Sequence, residues 1–330
     1  MKNLIHNLYK LRPKKPKIVF MGTPGFGAII LERLCNTKFK PCLVITEPDK
    51  PMGRKQIITS PPVKVLAQKY NIPVLQPEKI KDAVDKIRTT SPGLIVVATY
   101  GKILPKEILE IPKYGCLNIH PSLLPKYRGA SPIQYAILNN EKETGVTIIL
   151  MDEKIDHGPI ISNIKYQISN IKISYEELAK KLAELGAELL IKTIPEWTRA
   201  EIKPQPQDEG KATYTKILKR EDGKIDWKKS ADEIERQIRA FQPWPGSWTF
   251  WQITKGTLLR IKILKAGVFK SPDEKVYPLG KVLVVPPNKA GIQCGRDFLI
   301  IEKLQLEGKK PTGSEEFLRG HPDFTAAILK

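Results

Sequence analysis

The stretch that most constrains the fold is a strand, a loop and a helix near the middle of the chain. The apolar run 116–119 predicts a buried strand that leads into His120. The loop that follows contains too much Pro and Gly for a helix or a central strand. Ser131 and Pro132 match an N-cap and a first helical residue, so we expect a helix over 133–138. Ligands of open α/β sheets bind where strands end, which makes this loop the candidate site.

A second apolar run lies about thirty residues further along the chain. Residues 146–151 predict a strand, and a loop that contains Asp156 follows it. If the two strands are neighbours, Asp156 can approach His120. Together with Asn118 these side chains form an Asn, His and Asp constellation without a Cys or an obvious Ser nucleophile. Each also has a structural alternative, since Asn and Asp are common turn and cap residues and a strand-end His is often part of a core.

The three residue types suit acyl transfer to an amine. Attack of an amine on a formyl or other acyl carbon creates a tetrahedral oxyanion, to which the N–H groups of Asn118 and His120 can donate. The amine must also lose a proton, and the carboxylate of Asp156, relayed by His120 or by water, can accept it. No covalent enzyme intermediate is required, which agrees with the missing nucleophile.

Strands alternate with helices through the first two hundred residues, which predicts βα units and a parallel sheet. A capping box at Ser174 and Glu177 begins a long closing helix with an apolar face. The other predicted strands are 18–21, 42–46, 74–75 and 94–98, and the other predicted helices end near Leu34, Tyr70 and Arg88.

The character of the sequence changes near Ala200. Residues 203–210 are polar and Pro-rich, as in a linker. One helix, 230–241, and several short runs rich in β-formers follow, which predicts a small β-barrel. Around Trp244 two prolines predict a packed corner of this domain. The predicted divisions are a basic extension 1–17, a first domain 18–199, a linker 200–212 and a second domain 213–330.

The turn after the first strand contains Gly22, Gly25 and Gly27, which allows two interpretations. A dinucleotide site is one of them, because Glu47 and Asp49 follow about twenty residues later. However, the spacing is G-x-x-G-x-G and Pro24 interrupts it, so the other is a tight turn that only closes the first βα unit.

Charge and cysteine content limit the partners and the compartment. The 330 residues contain 55 Lys and Arg against 35 Asp and Glu, a net charge of +20. This balance favours a polyanionic partner, nucleic acid first, although a Lys-rich proteome would produce it as well. Four scattered Cys without a CxxC pair argue against a disulfide framework and a zinc site and favour an intracellular protein. No apolar run approaches ~20 residues, so we expect no membrane span.

The motifs around the candidate site resemble the signature of the folate-dependent formyltransferases. The matching elements are Asn-x-His at 118–120, Ser-Leu-Leu-Pro at 122–125, Arg-Gly-Ala-x-Pro-Ile at 128–133 and Asp-x-Gly at 156–158. From Ile18 to about Leu306 the chain is similar to the methionyl-tRNA formyltransferase family within that group. Further similar stretches are Gly22-Thr23-Pro24-x-Phe26, Pro48-Asp49-Lys50-Pro51-x-Gly53-Arg54, Tyr100-Gly101-x-Ile103-Leu104-Pro105, Thr144-Gly145-Val146-Thr147, Ala212-Thr213-Tyr214, Ile225-Asp226-Trp227 and Arg239-Ala240-Phe241-x-Pro243-Trp244-Pro245.

The resemblance implies an α/β fold, with a Rossmann-like parallel-sheet formyltransferase domain and then a smaller OB-like β-barrel domain that binds tRNA. It implies formyl transfer from 10-formyltetrahydrofolate, the co-substrate, to the α-amine of methionyl initiator tRNA in translation initiation. We expect a cytoplasmic monomer without a metal. The implied site residues are Asn118, His120 and Asp156 for catalysis, Ser122, Leu123, Leu124 and Pro125 for folate, and Lys50, Arg54 and Lys55 for tRNA.

The sequence also allows other functions, and it departs from the family pattern at several residues. A formyltransferase acting on glycinamide ribonucleotide or an amino sugar nucleotide, a nicotinamide-dependent oxidoreductase and a non-catalytic nucleic-acid-binding protein are the other functional candidates. The basic loop 47–59 can also be merely solvated, and Leu123 and Leu124 can be ordinary core residues. The departures are Gly27, Gln56, Ile57, His157 between Asp156 and Gly158, and the 1–17 extension, which has no counterpart in the family core.

Overall fold

A computed structural model of the chain describes residues 15–53, 55–168, 172–253, 256–270 and 277–330. Two compact units can be distinguished in it. The first contains the chain up to Pro132, with Glu143–Ile168 and Ala179–Thr215. The second contains Ile133–Lys142, Ser169–Leu178 and Lys216–Lys330.

The first unit is built on a seven-stranded sheet. Its strands, with those of two smaller ladders, are β1 (Ile18–Gly22), β2 (Leu43–Ile45), β3 (Lys50–Met52), β4 (Ile57–Thr59), β5 (Val74–Leu75), β6 (Leu94–Ala98), β7 (Cys116–His120), β8 (Arg128–Gly129), β9 (Glu143–Leu150), β10 (Ile160–Gln167) and β11 (Tyr214–Thr215). The main sheet has the order β10-β9-β7-β6-β1-β2-β5. It is parallel from β7 to β5, whereas β9 and β10 are antiparallel. The predicted Rossmann-like sheet is confirmed, with an antiparallel edge that the sequence did not predict.

Five of the six helices described up to residue 215 occur close to predicted positions, and the short helix Lys106–Leu109 has no counterpart among the predictions. The six helices are α1 (Gly25–Cys35), α2 (Pro62–Lys69), α3 (Val84–Thr90), α4 (Lys106–Leu109), α5 (Pro132–Leu138) and α6 (Tyr175–Thr198), with 3-10 turns at Ile80–Ala83 and Glu209–Lys211. The capping box of α6 is present, since Ser174 Oγ accepts the Glu177 N–H at 3.3 Å and the Glu177 carboxylate accepts the Ser174 N–H at 2.9 Å. These two bonds satisfy donors that the start of a helix otherwise leaves free.

Every residue of β1 and β6 is buried, as expected for central strands of a parallel sheet that is covered on both faces. The glycines after β1 allow the backbone to pass close to β6. A Cβ atom on Gly22 or Gly27 would lie 2.8 Å from the carbonyl oxygen of Ala98. This close approach favours the tight-turn interpretation of the Gly22 motif over a dinucleotide site.

The part of the second unit beyond residue 215, as far as it is described, combines an antiparallel sheet with two helices. Its elements are α7 (Ala231–Phe241), β12 (Ser247–Gln252), β13 (Leu258–Phe269), β14 (Val282–Val285), β15 (Lys289–Gln293), β16 (Phe298–Leu306), β17 (Thr312–Gly313) and α8 (Ser314–Gly320), with 3-10 turns at Arg220–Gly223 and Pro322–Ala326. The strand order is β12-β13-β16-β15-β14, and β17 pairs with β16. Register shifts between β13 and β16 at 263–266 bend the sheet, as β-bulges do. The predicted OB-like domain is confirmed as a curled half-barrel, in which β12 and β14 do not pair within the described residues.

The predictions for Trp244, for the cysteines and for a membrane span have different outcomes. Trp244 is 58% exposed, so the prediction that it forms a packed corner is wrong for this side chain. The four cysteines are free. Within the described ranges, no helix has the length and apolar character needed to cross a bilayer.

The predicted linker makes hydrogen bonds within the first unit. Gln205 and Ile160 exchange two backbone bonds of 2.7 and 2.8 Å, and β11 pairs in parallel with β8. Residues up to Thr215 therefore belong to the first unit by their contacts. The domain boundaries at 17/18, 199/200 and 212/213 stay predictions.

Candidate active site

The pairing of β7 with β9 explains how the three candidate catalytic residues meet. Asn118 is opposite Ile149, and His120 is opposite Thr147. Because this pair is antiparallel, β9 ends at the edge of the sheet away from His120. The loop from 151 to 159 returns along the sheet before β10 begins and brings Asp156 back to β7. The two strands are neighbours, which meets the condition that the sequence analysis set for Asp156 to approach His120.

Asp156 is the centre of the constellation. Its Oδ1 accepts a hydrogen bond of 3.0 Å from Asn118 Nδ2 and lies 3.5 Å from His120 Nδ1. Its Oδ2 accepts a 2.8 Å bond from the backbone N–H of Gly129. The backbone of Asp156 has φ +49°, in the left-handed region, which aims the carboxylate back at β7. The structure therefore brings all three predicted catalytic residues together.

The tautomer of His120 follows from its other neighbour. The ring is buried, and Nε2 lies 2.9 Å from the backbone oxygen of Tyr127. Since a carbonyl oxygen only accepts, Nε2 carries the proton and donates it. Nδ1 is then the nitrogen that faces Asp156 and is the acceptor in the neutral ring.

Gly129 holds its amide against Asp156 in a conformation that favours glycine. Its φ is +101°, and a Cβ atom at this position would lie 2.5 Å from the carbonyl oxygen of Thr215. The segment after residue 212 thus fixes the active-site loop from outside, because Thr213 Oγ1 also accepts the Tyr127 N–H at 2.8 Å.

The predicted folate loop is fixed to the sheet beside His120. Thr147 Oγ1 donates to the Ser122 carbonyl at 2.7 Å and accepts the Leu124 N–H at 3.1 Å. Ser122 and Leu124 are buried, whereas Leu123 and Pro125 are half-buried. Ser122 Oγ donates to the Lys126 carbonyl at 2.6 Å, so its hydroxyl proton is already used within the loop. A ligand at this loop would meet Leu123, Pro125 and backbone atoms rather than the Ser122 side chain.

A buried arginine that the sequence analysis did not assign a role lies behind the site. Arg128 is fully buried, and its guanidinium donates to Gln207 Oε1 at 2.9 and 3.1 Å, to the Glu209 carboxylate at 2.6 and 3.0 Å and to Tyr214 Oη at 3.0 Å. The bonds to Glu209 raise the pKa of the Arg128 guanidinium and lower the pKa of the Glu209 carboxyl. The Gln207 amide in turn donates to the carbonyls of Asp156 and Gly158, both at 2.8 Å.

Two of the predicted tRNA-binding residues, Lys50 and Lys55, belong to a separate hairpin formed by β3 and β4. Lys50 and Lys55 are exposed, and Lys50 Nζ lies 2.5 Å from the Glu47 carboxylate. Arg54 lies outside the described residues. Beside the lysines the hairpin exposes apolar side chains, with Met52 at 60%, Ile57 at 61% and Ile58 at 64% exposure.

Asp49 joins this hairpin to the rest of the first unit. Its carboxylate accepts hydrogen bonds from Gln76 Nε2 at 2.7 Å, from Lys64 Nζ at 2.7 and 2.9 Å and from Ser60 Oγ at 3.1 Å. The bonds from Gln76 and Lys64 lower the pKa of the Asp49 carboxyl.

A cavity formed by the described residues lies away from these three side chains. It has a volume of about 890 Å³ and is lined by Tyr114, Met151 and Trp197 among others, but by none of Asn118, His120 and Asp156. Among the described residues, no cluster of His, Cys, Asp and Glu is arranged to hold a metal ion.

Two family models match most of the chain. The model of formyl transferase matches residues 16–194, and the model of the formyl transferase C-terminal domain matches residues 217–322. The matches cover the Rossmann-like sheet and the half-barrel.

Solved structures show the same fold at low identity. WlaRD, a sugar 3N-formyl transferase solved in the presence of dTDP and 5-N-formyl-THF, has a TM-score of 0.60 and 24% identity and covers 90% of this chain and 99% of its own. HypX from Aquifex aeolicus, in complex with tetrahydrofolic acid, has a TM-score of 0.62 and 17% identity over 94% of this chain. The chain spans about half the length of HypX, 48%.

Curated relatives are much more similar in sequence. The methionyl-tRNA formyltransferase of Halalkalibacterium halodurans is 44% identical over 307 residues, which are 92% of this chain and 94% of that protein. That of Bacillus subtilis is 41% identical over 307 residues, 92% of this chain and 94% of that protein. The match extends through both units, which confirms the resemblance seen in the sequence motifs. The chain belongs to the methionyl-tRNA formyltransferase family.

Proposed function

We propose that this protein transfers the formyl group of 10-formyltetrahydrofolate to the α-amine of methionyl initiator tRNA. The observation that carries the proposal is the convergence of Asn118 and His120 on the carboxylate of Asp156 at the end of β7. Family membership supports the identity of the formyl donor and of the formyl acceptor. The geometry supports direct attack of an amine without a covalent enzyme intermediate.

In the proposed reaction the methionyl amine attacks the formyl carbon, a C–N bond forms, and the formyl oxygen becomes an oxyanion. Asn118 Nδ2 has two N–H groups, of which Asp156 uses one, so the other can donate to the oxyanion. The bond from the formyl carbon to N10 of the folate then breaks. N10 takes up a proton as it leaves.

The proton passes through His120 in this proposal. Its Nε2–H is used by the Tyr127 carbonyl, so Nδ1 is the base that receives the amine proton and later returns it to N10. Asp156, 3.5 Å away, stabilises the imidazolium formed between these steps. On sequence grounds His120 was expected as a second oxyanion donor, but the bond to Tyr127 favours the proton relay.

The two substrates have different proposed binding sites. For folate we propose the loop 122–125, where half-buried Leu123 and Pro125 offer apolar contact to a pterin ring. For tRNA we propose Lys50, Arg54 and Lys55. The exposed lysines at 50 and 55 suit phosphate contacts, and the neighbouring exposed apolar side chains suit an unpaired end. The half-barrel is the second proposed tRNA-binding surface.

Transfer of labelled formyl from 10-formyltetrahydrofolate tests the proposal. We expect label in acid-precipitable methionyl-tRNA and none in uncharged tRNA, which lacks the amine. A dTDP-linked amino sugar serves as the competing acceptor, because WlaRD shares the fold. Formylation of the sugar nucleotide with no formylation of methionyl-tRNA would overturn the proposed acceptor.

We further propose that the enzyme acts as a monomer in the cytoplasm, where aminoacyl-tRNA is available. The residues of the proposed trio all come from one unit of one chain, so no second copy is needed to complete the site. Light scattering after gel filtration measures the mass directly, and the 37.3 kDa chain should elute at that mass.

A further inference from the structure

Arg128, Gln207 and Glu209 form a network behind Asp156 that the proposed reaction does not use directly. Arg128 lies at the start of β8, and the other two residues lie in the segment before β11. All three belong to the first unit. A fully buried guanidinium is costly unless charge and hydrogen bonds compensate it, and here it is held by five bonds to Gln207, Glu209 and Tyr214.

Gln207 is the member that reaches the active-site loop. Its side-chain oxygen accepts from Arg128, while its amide nitrogen donates to the backbone oxygens of Asp156 and Gly158, both at 2.8 Å. These bonds are made to the residues immediately before and after His157, and they hold the turn in which Asp156 has φ +49°. A non-glycine residue in this region is strained, and surrounding contacts must impose the conformation.

We propose that Gln207 is a positioning residue for Asp156, held in place by Arg128 and Glu209, and that its amide group fixes the turn that aims the carboxylate at Asn118 and His120. The inference rests on the proposed formyl transfer and deepens it. Gln207 does not touch the reacting atoms; it acts through the backbone of Asp156. The bond from Gly129 to Asp156 Oδ2 reports whether the carboxylate is held correctly.

Two substitutions separate the donor function of Gln207 from its acceptor function. Gln207→Ala removes both, whereas Gln207→Glu keeps an acceptor for Arg128 but turns a carboxylate toward two carbonyl oxygens. We expect both variants to lower kcat about 10- to 100-fold, because small misplacement of a reacting group has effects of this size. The KM values for folate and tRNA should change less than about twofold. Retention of wild-type kcat by Gln207→Glu would show that Gln207 serves only to pair Arg128.

A double-mutant cycle with Asp156→Asn tests the route of the effect. If Gln207 acts through Asp156, Gln207→Ala causes no further loss of kcat in the Asp156→Asn background. Independent, multiplicative losses would overturn the inference. Gln205→Ala is the matched control, since Gln205 is exposed on the same segment and bonds Ile160 through its backbone only. This control should retain wild-type kcat.

Amide hydrogen exchange gives a readout that does not depend on the reaction. Loosening of Asp156 removes the acceptor of the Gly129 amide, so the peptide containing Gly129 should exchange faster in Gln207→Ala than in wild type or in Gln205→Ala. Unchanged exchange in Gln207→Ala overturns the positioning role. If wild type does not formylate methionyl-tRNA but the Gly129 peptide still exchanges faster in Gln207→Ala than in wild type, the proposed function is overturned and the positioning role stands.

Discussion

At the scale of single residues, the two oxygens of the Asp156 carboxylate have different partners. Oδ1 faces Asn118 and His120, and Oδ2 accepts the Gly129 amide. Asp156→Asn replaces one of these acceptors by an NH₂ group that must face a donor. We expect kcat to fall by about 10²- to 10³-fold, as when a preorganised polar group is lost from an oxyanion site. Single-turnover formyl transfer measures this loss.

Asn118→Ala provides the complementary test, because it removes the proposed oxyanion donor and leaves the pair of His120 and Asp156. The kcat of this variant should fall by about 10²-fold, close to the loss expected for Asp156→Asn. The dissociation constant for folate, measured by fluorescence titration, should remain near the wild-type value in both variants. Turnover near the wild-type rate in either variant would contradict the assigned roles.

Gly129 is a residue whose replacement should reduce both stability and activity. The Cβ of Gly129→Ala would lie 2.5 Å from the Thr215 carbonyl, and φ +101° is unfavourable for alanine. We expect a loss of about 1–3 kcal/mol in the free energy of unfolding together with lower kcat. Gly25→Ala is the control, since a methyl group there meets no atom within 4 Å. Chemical denaturation of both variants measures the difference, and equal stability would argue against strain at Gly129.

At the scale of elements, strands of continuous apolar residues were predictable, and elements defined by long-range pairing were not. β6 and β7 are apolar runs between turn residues, so their positions could be predicted from hydrophobicity alone. β10 was missed because it is an edge strand in which buried and exposed positions mix. The bond between Gln207 and Asp156 joins residues 51 positions apart through a backbone oxygen, and no sequence pattern encodes such a bond.

The hairpin of β3 and β4 depends on Asp49 for its attachment, which makes its stability sensitive to pH. Hydrogen bonds from Gln76 and Lys64 lower the pKa of Asp49 from its ordinary value of 3.8. The stabilisation is therefore complete above that value and is lost as the pH falls through the lower pKa of the folded state. Asp49→Asn should lower the melting temperature at pH 7, and the difference should vanish in acid.

Melting curves of wild type and Asp49→Asn from pH 7 down to about pH 2 measure this dependence, because the loss occurs below the ordinary pKa of the carboxyl. Asp85→Asn is the control, because the Asp85 carboxylate is 96% exposed and its contact with Arg88 is 3.9 Å long. A difference for Asp49→Asn that persists at the lowest pH would show that the carboxylate charge is not what anchors the hairpin.

At the scale of the whole molecule, the net charge of +20 fits either a tRNA partner or a merely Lys-rich composition, and the salt dependence of activity distinguishes the two. Binding of a polyanion releases counterions, so the logarithm of kcat/KM for methionyl-tRNA should fall linearly with the logarithm of salt concentration. Contact with three or more phosphates gives a slope of about −2 or steeper. Folate is a small anion without a condensed counterion layer, and its kcat/KM should change much less over the same range.

The hairpin lysines should account for part of that slope. Replacement of Lys50 and Lys55 together by alanine should reduce the slope for tRNA by about 1 to 2, since each phosphate contact contributes slightly less than one. The value of kcat at saturating tRNA should stay constant, because neither lysine is among the partners of the Asp156 carboxylate. Lys86→Ala on α3 controls for the loss of a single positive charge at an exposed site of the first unit.

Two outcomes would contradict this assignment. If the double variant keeps the full slope while the wild-type slope is steep, the phosphate contacts come from other cations of the chain, and the half-barrel becomes the surface to test. A wild-type slope as shallow as that for folate would instead mean that the excess charge reflects composition and not a polyanionic substrate.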